Sequence, residues 1–157
     1  MNESVNFLSP IRLVGPVFNG CDFYADPEGP KGGMSVDVNI ETPVDIALSH
    51  EDGSYVLRMP MRLKIRIRES ADDKTADGGR EVMHAFLSME GALFVSDEIN
   101  LPKSEILEAL RVNSISLFYS SARSYIESLT GMSSAGRFTI PPIDPQAYVR
   151  SLCGSEA

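Results

Sequence analysis

At 157 residues, with 43% hydrophobic and 23% charged positions, the chain has the size and apolar content of one ordinary globular domain, which excludes a disordered polymer. A formal charge of −8 disfavours nucleic acid as a partner, because phosphate contacts need a basic surface, and suits basic or unfolded segments instead. Met1-Asn2-Glu3 opens without a basic leader and no apolar run has the length of a membrane span, so the expectation is a cytoplasmic protein without membrane insertion.

In chain order, Val5 to Tyr24 has extended character broken by Pro10, Gly15-Pro16 and Asn19-Gly20, and predicts one irregular strand. Asp26 to Gly33 is a loop rich in Gly and Pro. From Met34 the even positions are apolar (Met34, Val36, Val38, Ile40, Val44, Ile46, Leu48), while Asp37, Asn39, Glu41 and Asp45 fall between them. That period of two marks a strand with one face to the core. After a turn around Asp52-Gly53 the parity inverts. Tyr55, Leu57, Met59, Met61, Leu63, Ile65 and Ile67 are apolar, and Arg58, Arg62, Lys64, Arg66 and Arg68 alternate with them.

A long hairpin over 34–68 follows. With a four-residue loop at 50–53, Ser49 meets Ser54, and the register sets Asp45 against Arg58, Glu41 against Arg62, Asn39 against Lys64 and Asp37 against Arg66. A slip by one residue would turn the apolar set to water. Pro60 lacks an N–H, so its strand is expected to be an edge or to bulge there. The basic residues read as a charge-paired, solvated face. Residues 69–80 form a polar loop, and Glu81 to Val95, apolar in both phases, predicts a strand near the sheet centre with both faces covered.

The helical part opens at Pro102, and Ile115, Phe118, Ala122, Ile126 and Leu129 recur at helical spacing up to a stop at Gly131. Asp144-Pro145 gives an N-cap and a first-turn proline for a second, short helix. The expected elements are a main helix at 102–131, a crossover at 132–143 and a terminal helix at 144–153, all within one domain spanning 1–157. The order of strands then helices predicts an α+β fold with a four-stranded antiparallel sheet and both helices on one face.

No catalytic constellation stands out, and an enzyme is not expected. His50 lies in an acidic turn and His84 in an apolar strand, and Ser120-Ser121 and Ser133-Ser134 have no motif that pairs them with a base. Cys21 and Cys153 are far apart without a Cys-x-x-Cys, which predicts free thiols and neither metal nor cofactor.

Within the helical part, the Ala122-Arg123 pair, Ile126, the Gly131 stop and the crossover Phe138-x-Ile140-x-Pro142-Ile143-Asp144 resemble the C-terminal part of the SecB family of export chaperones. The resemblance implies a homotetramer, a dimer of dimers, whose apolar grooves hold unfolded polypeptide or preprotein clients without ATP. It also implies a partner. One branch docks the SecA motor through acidic residues on the sheet face and its nearby loop, and the nearest equivalents here are Asp22, Asp26 and Glu69. Another branch serves a single antitoxin, and an interaction protein with one folded partner is a further alternative. Few residues follow the terminal helix, which favours client holding over motor docking.

Promiscuous holding needs adaptable apolar surface. Phe7, Val14, Val17, Phe18, Phe23 and Tyr24 on the irregular first strand are the first candidates, followed by Met132 and Phe138 in the crossover. Each also suits an ordinary core. Phe118, Ile126 and Leu129 fit a core or subunit interface better than a groove.

Overall fold

A computed structural model describes residues 10–70, 79–133 and 136–154. The elements are β1 (Arg12–Ala25), β2 (Met34–Glu41), β3 (Ser49–Glu51), β4 (Ser54–Glu69), β5 (Glu81–Ser96), α1 (Lys103–Gly131) and α2 (Pro145–Gly154). The strands form one antiparallel sheet in the order β1-β5-β4-β2, with short β3 pairing β4 beyond the end of β2. The chain is α+β, with four long strands as expected and β3 in addition.

The β2–β4 register is the expected one: Glu41 faces Arg62, Asn39 faces Lys64 and Asp37 faces Arg66. Lys64 closes an ion pair with Glu41 at 2.6 Å, two residues along β4 from the direct partner Arg62. The turn end differs. Glu51 pairs with Ser54 around a two-residue turn, in which Asp52 (φ 45°) and Gly53 (φ 73°) are both left-handed. Ser49 therefore faces Val56 instead of Ser54, and Arg58 pairs with Glu51 at 2.8 Å instead of Asp45.

The discrepancy is absorbed at 42–48, where the chain leaves the sheet. Pro43 cannot donate to a ladder, and Arg111 of α1 holds this detour by donating to the Pro43 and Val44 carbonyls. The detour leaves Leu57 to Met61 of β4 paired with β5 alone. Pro60 lies in that gap, so a strand central in the sheet order is locally an edge where its N–H is missing.

The helices cover one face. The odd positions of β4 from Leu57 to Ile67 are buried together with Met83, Ala85, Leu87 and Met89 of β5. Ile106, Leu110, Ile115, Phe118, Ala122 and Ile126 of α1 close over them, with Val149 of α2 and Ile140 of the crossover. Burying each large side chain contributes about 1.5–3 kcal/mol. Phe118 packs directly against Gly91 of β5. A Cβ at Gly91 would lie 2.7 Å from its Cζ and 2.9 Å from the Val14 carbonyl oxygen, so only glycine fits at that position. Asp144 caps α2 by accepting from the backbone N–H groups of Gln146 (2.9 Å) and Ala147 (3.0 Å). The crossover is tied back by the Tyr119 hydroxyl, which donates to the Pro141 carbonyl at 2.6 Å.

The other face of the sheet is open, where both faces of β5 were expected to be covered. Arginines roof its aromatic rings: Arg12 lies 5.3 Å from the Phe94 ring centre and Arg66 lies 5.2 Å from that of Phe86. The second apolar phase of β5 is thus half-shielded by long cationic side chains from neighbouring strands.

Candidate functional site

Strand β1 distributes its candidate residues over both faces. Val14 faces Ala92 and Val17 faces Glu90, so three residues of β1 span two of β5, and the bulge at Gly15-Pro16 turns both valines to the open face. Gly15 takes φ 98°, which a side chain would strain. The valines are 57% and 60% exposed and rim a cleft of about 370 Å³ with Arg58, Pro60, Glu90 and Ala92. Tyr24, further along the same open face, lies over His84 with ring centres 5.6 Å apart.

Phe18 and Phe23 face Met89 and Ala85, on the helix side, and both are half-buried against the core. Phe18 stacks on Tyr125 of α1 at 4.7 Å. The crossover candidates also part. Met132 follows the end of α1 and is 83% exposed, whereas Phe138 packs on the core and donates its backbone N–H to the buried Thr130 hydroxyl at 2.9 Å. Phe7 lies outside the described residues. Val14, Val17, Tyr24 and Met132 are therefore the exposed apolar candidates, and the single chain does not gather them into one groove.

Further apolar side chains are exposed at Met34, Val36, Val44, Leu101 and Leu117. Alternation assigned Met34, Val36 and Val44 to the core side of a strand. It could not show that cover gives out toward the start of β2 or that Val44 sits in the detour. Leu117 lies on the outer side of α1, where the hydroxyls of Ser121, Ser124 and Ser128 all donate back to helix carbonyls four residues earlier.

Of the three acidic candidates, two are engaged within the chain. Arg80 pairs with Asp26 and with Glu69 (3.1 Å), and donates to the Gly29 carbonyl at 2.9 Å, joining the 26–33 loop to the end of β4. The Glu69 carboxyl is held below its usual range by the Arg80 hydrogen bond and, second, by the Lys31 backbone N–H. Asp22 stands apart on β1 with a largely exposed carboxylate 3.5 Å from His84.

Both histidines sit in local pairs. His84 lies 2.6 Å from Glu81 and stacks on Phe86 at 4.7 Å, and His50 lies 2.8 Å from Asp97. Among the described residues no group of three or more His, Cys, Asp or Glu side chains is placed to hold a metal ion. Cys21 and Cys153 are free and exposed. No described helix is long and apolar enough to cross a membrane.

No protein-family model and no curated protein matches the chain. Among solved structures, it is similar to the SecB-like chaperone Rv1957 of Mycobacterium tuberculosis in complex with a ChAD peptide from the HigA1 antitoxin. Identity is 18% and the TM-score 0.54, over 85% of this chain and 90% of that one. An antiparallel sheet with one open face, a long helix across the other and a short terminal helix after a crossover thus give this chain a SecB-like fold.

Proposed function

We propose that this protein is a chaperone that binds unfolded or aggregation-prone polypeptide on exposed apolar surface, without ATP and without catalysis. The observation that carries this reading is the SecB-like fold joined to uncovered aliphatic and Met side chains at Val14, Val17 and Met132. Non-directional contacts of this kind tolerate many client sequences. The single chain scatters them over β1 and the end of α1, and assembly is what makes them act together through avidity.

A cytoplasmic homotetramer, a dimer of dimers, is the assembly proposed. Its support is the outer side of α1: with the serine hydroxyls turned back onto the helix and Leu117 exposed, that side suits close packing against another helix. Phe7, Phe18, Phe23, Tyr24 and Phe138 remain proposed client contacts, with Phe18, Phe23 and Phe138 reached only where local opening exposes them. Asp22 is the carboxylate best placed for docking a partner such as the SecA motor, since Asp26 and Glu69 are engaged by Arg80.

The second reading is a chaperone dedicated to one antitoxin. The antitoxin peptide held by the similar mycobacterial chaperone favours it over preprotein export. Light scattering of a chemically denatured client, diluted into the protein without nucleotide, tests the proposal. Suppression that saturates near one oligomer per client chain is expected. Undiminished aggregation of several unrelated clients would reject general holding and leave a dedicated partner.

A further inference from the structure

We infer that the cleft between the first turns of α1 and the last turn of α2 docks polypeptide segments that carry a carboxylate beside an apolar side chain. The inference rests on the polypeptide-binding reading above and narrows it to a class of segment. The cleft has a volume of about 520 Å³, within the roughly 300–1,000 Å³ range of ligand sites. Leu107 and the buried Val149 supply apolar lining, and Glu108, Arg150 and Cys153 are exposed around it, so it opens to solvent.

Arg111 gives the cleft its selectivity. It is 9% exposed, yet its described hydrogen bonds run from Nη2 alone to the neutral carbonyls of Pro43 and Val44. No carboxylate among the described residues pairs with it. A buried guanidinium without a counter-ion is costly, and its fork of donors matches a carboxylate. Arg150 adds a second cation at the rim, and Glu108 is the one carboxylate among the described residues that line the cleft. Among the described lining residues two cations stand against one anion, a positive balance on a chain of net charge −8. That local reversal of sign selects an acidic segment where the overall charge favours basic ones.

The test uses two dye-labelled, C-terminally amidated peptides, Ser-Gly-Leu-Phe-Glu-Leu-Gly-Ser and the same peptide with Gln for Glu, titrated by fluorescence anisotropy at low and high salt. The Glu peptide is expected to bind about tenfold more tightly at low salt, the scale of one charge-assisted hydrogen bond, with the preference shrinking as salt rises. Arg111→Met should erase the preference. Because that change also frees the 42–48 detour, Arg150→Glu, at an exposed position, is the second variant and should reduce it to about threefold or less.

Equal binding of the two peptides, binding of neither, or an unchanged preference in Arg150→Glu overturns the inference. So does a change of oligomer mass in Arg150→Glu with the preference intact, which would give the cleft to a second copy. Aggregation suppression without peptide discrimination defeats this inference alone. Discrimination without suppression defeats general chaperone activity alone.

Discussion

The two faces of the sheet are built from the same strands and solve opposite problems. On the helix side, the odd positions of β4 are buried under Phe118, Ala122 and Ile126. On the open side, Arg58, Arg62, Lys64, Arg66 and Arg68 stand at even positions, with Arg58 paired to Glu51, Lys64 to Glu41 and Arg66 laid over the Phe86 ring. The closed face carries most of the buried apolar surface, whereas on the open side the exposed Val14 and Val17 side chains can change with little effect on folding, although the Gly15 backbone between them cannot. Val14 and Val17 belong to that second group, and their exposure is difficult to explain as core that failed to close, because a bulge at Gly15-Pro16 actively turns them outward.

The division can be broken first at its closed side. Phe118→Ala removes a fully buried ring and is expected to cost about 3–5 kcal/mol in urea unfolding. A loss below about 1 kcal/mol would mean that α1 does not anchor the sheet. Gly91→Val tests the closest approach of helix to strand. Its side chain collides with both Phe118 and the Val14 carbonyl, so a loss of about 1–3 kcal/mol and displacement of the bulge are expected. Thermal unfolding with an unchanged midpoint would refute that contact.

Smaller effects are expected at the charged end of the sheet. Glu41, Glu51 and Glu69 all titrate below the ordinary carboxylate value of 4.5, because Lys64, the Ser49 and Arg58 pair, and Arg80 bond their ionised forms. A depressed folded-state pKa gives stability that is fully present above the unfolded value and is lost as pH falls through the folded one. The urea midpoint should therefore fall as pH is lowered below about 4.5. Arg80→Ala should make that decline shallower by removing the main cause of the Glu69 shift. A parallel pH profile in wild type and variant would show that Arg80 does not bind the ionised Glu69 in solution.

Much of this fold was legible from the sequence because alternation and parity are local signals. The Glu41–Arg62 register was expected from a four-residue loop at 50–53; the turn has two residues, and the 42–48 detour takes up the difference, so the pairing holds although the loop does not. The Asp144-Pro145 cap marked α2 without any tertiary information. The Asp52-Gly53 pair was also visible, but its two-residue turn was missed because an unbroken strand to Leu48 left no place for two extra residues. Pro43 ends that strand, and Arg111, distant in sequence, holds the detour.

The candidate surface was less legible for a related reason. Val14 and Val17 are three apart, so strict alternation puts them on opposite faces, and only the bulge unites them. Phe18 and Phe23 looked equivalent to them, yet pairing opposite Met89 and Ala85 sends both to the helix side. The pairing of Asp26 and Glu69 through Arg80 joins segments far apart in the chain, so no spacing announced it.

On the proposed function, exposed apolar residues on the open side hold non-native chains. That claim is tested most directly by comparing the wild type with the double variant Val14→Ser, Val17→Ser in binding a labelled, permanently unfolded client. The variant should unfold within about 0.5 kcal/mol of the wild type, as surface changes do, while binding the client several-fold more weakly, on the scale of two lost aliphatic contacts. Unchanged client affinity in a folded double variant would contradict the claim and move the binding surface away from β1.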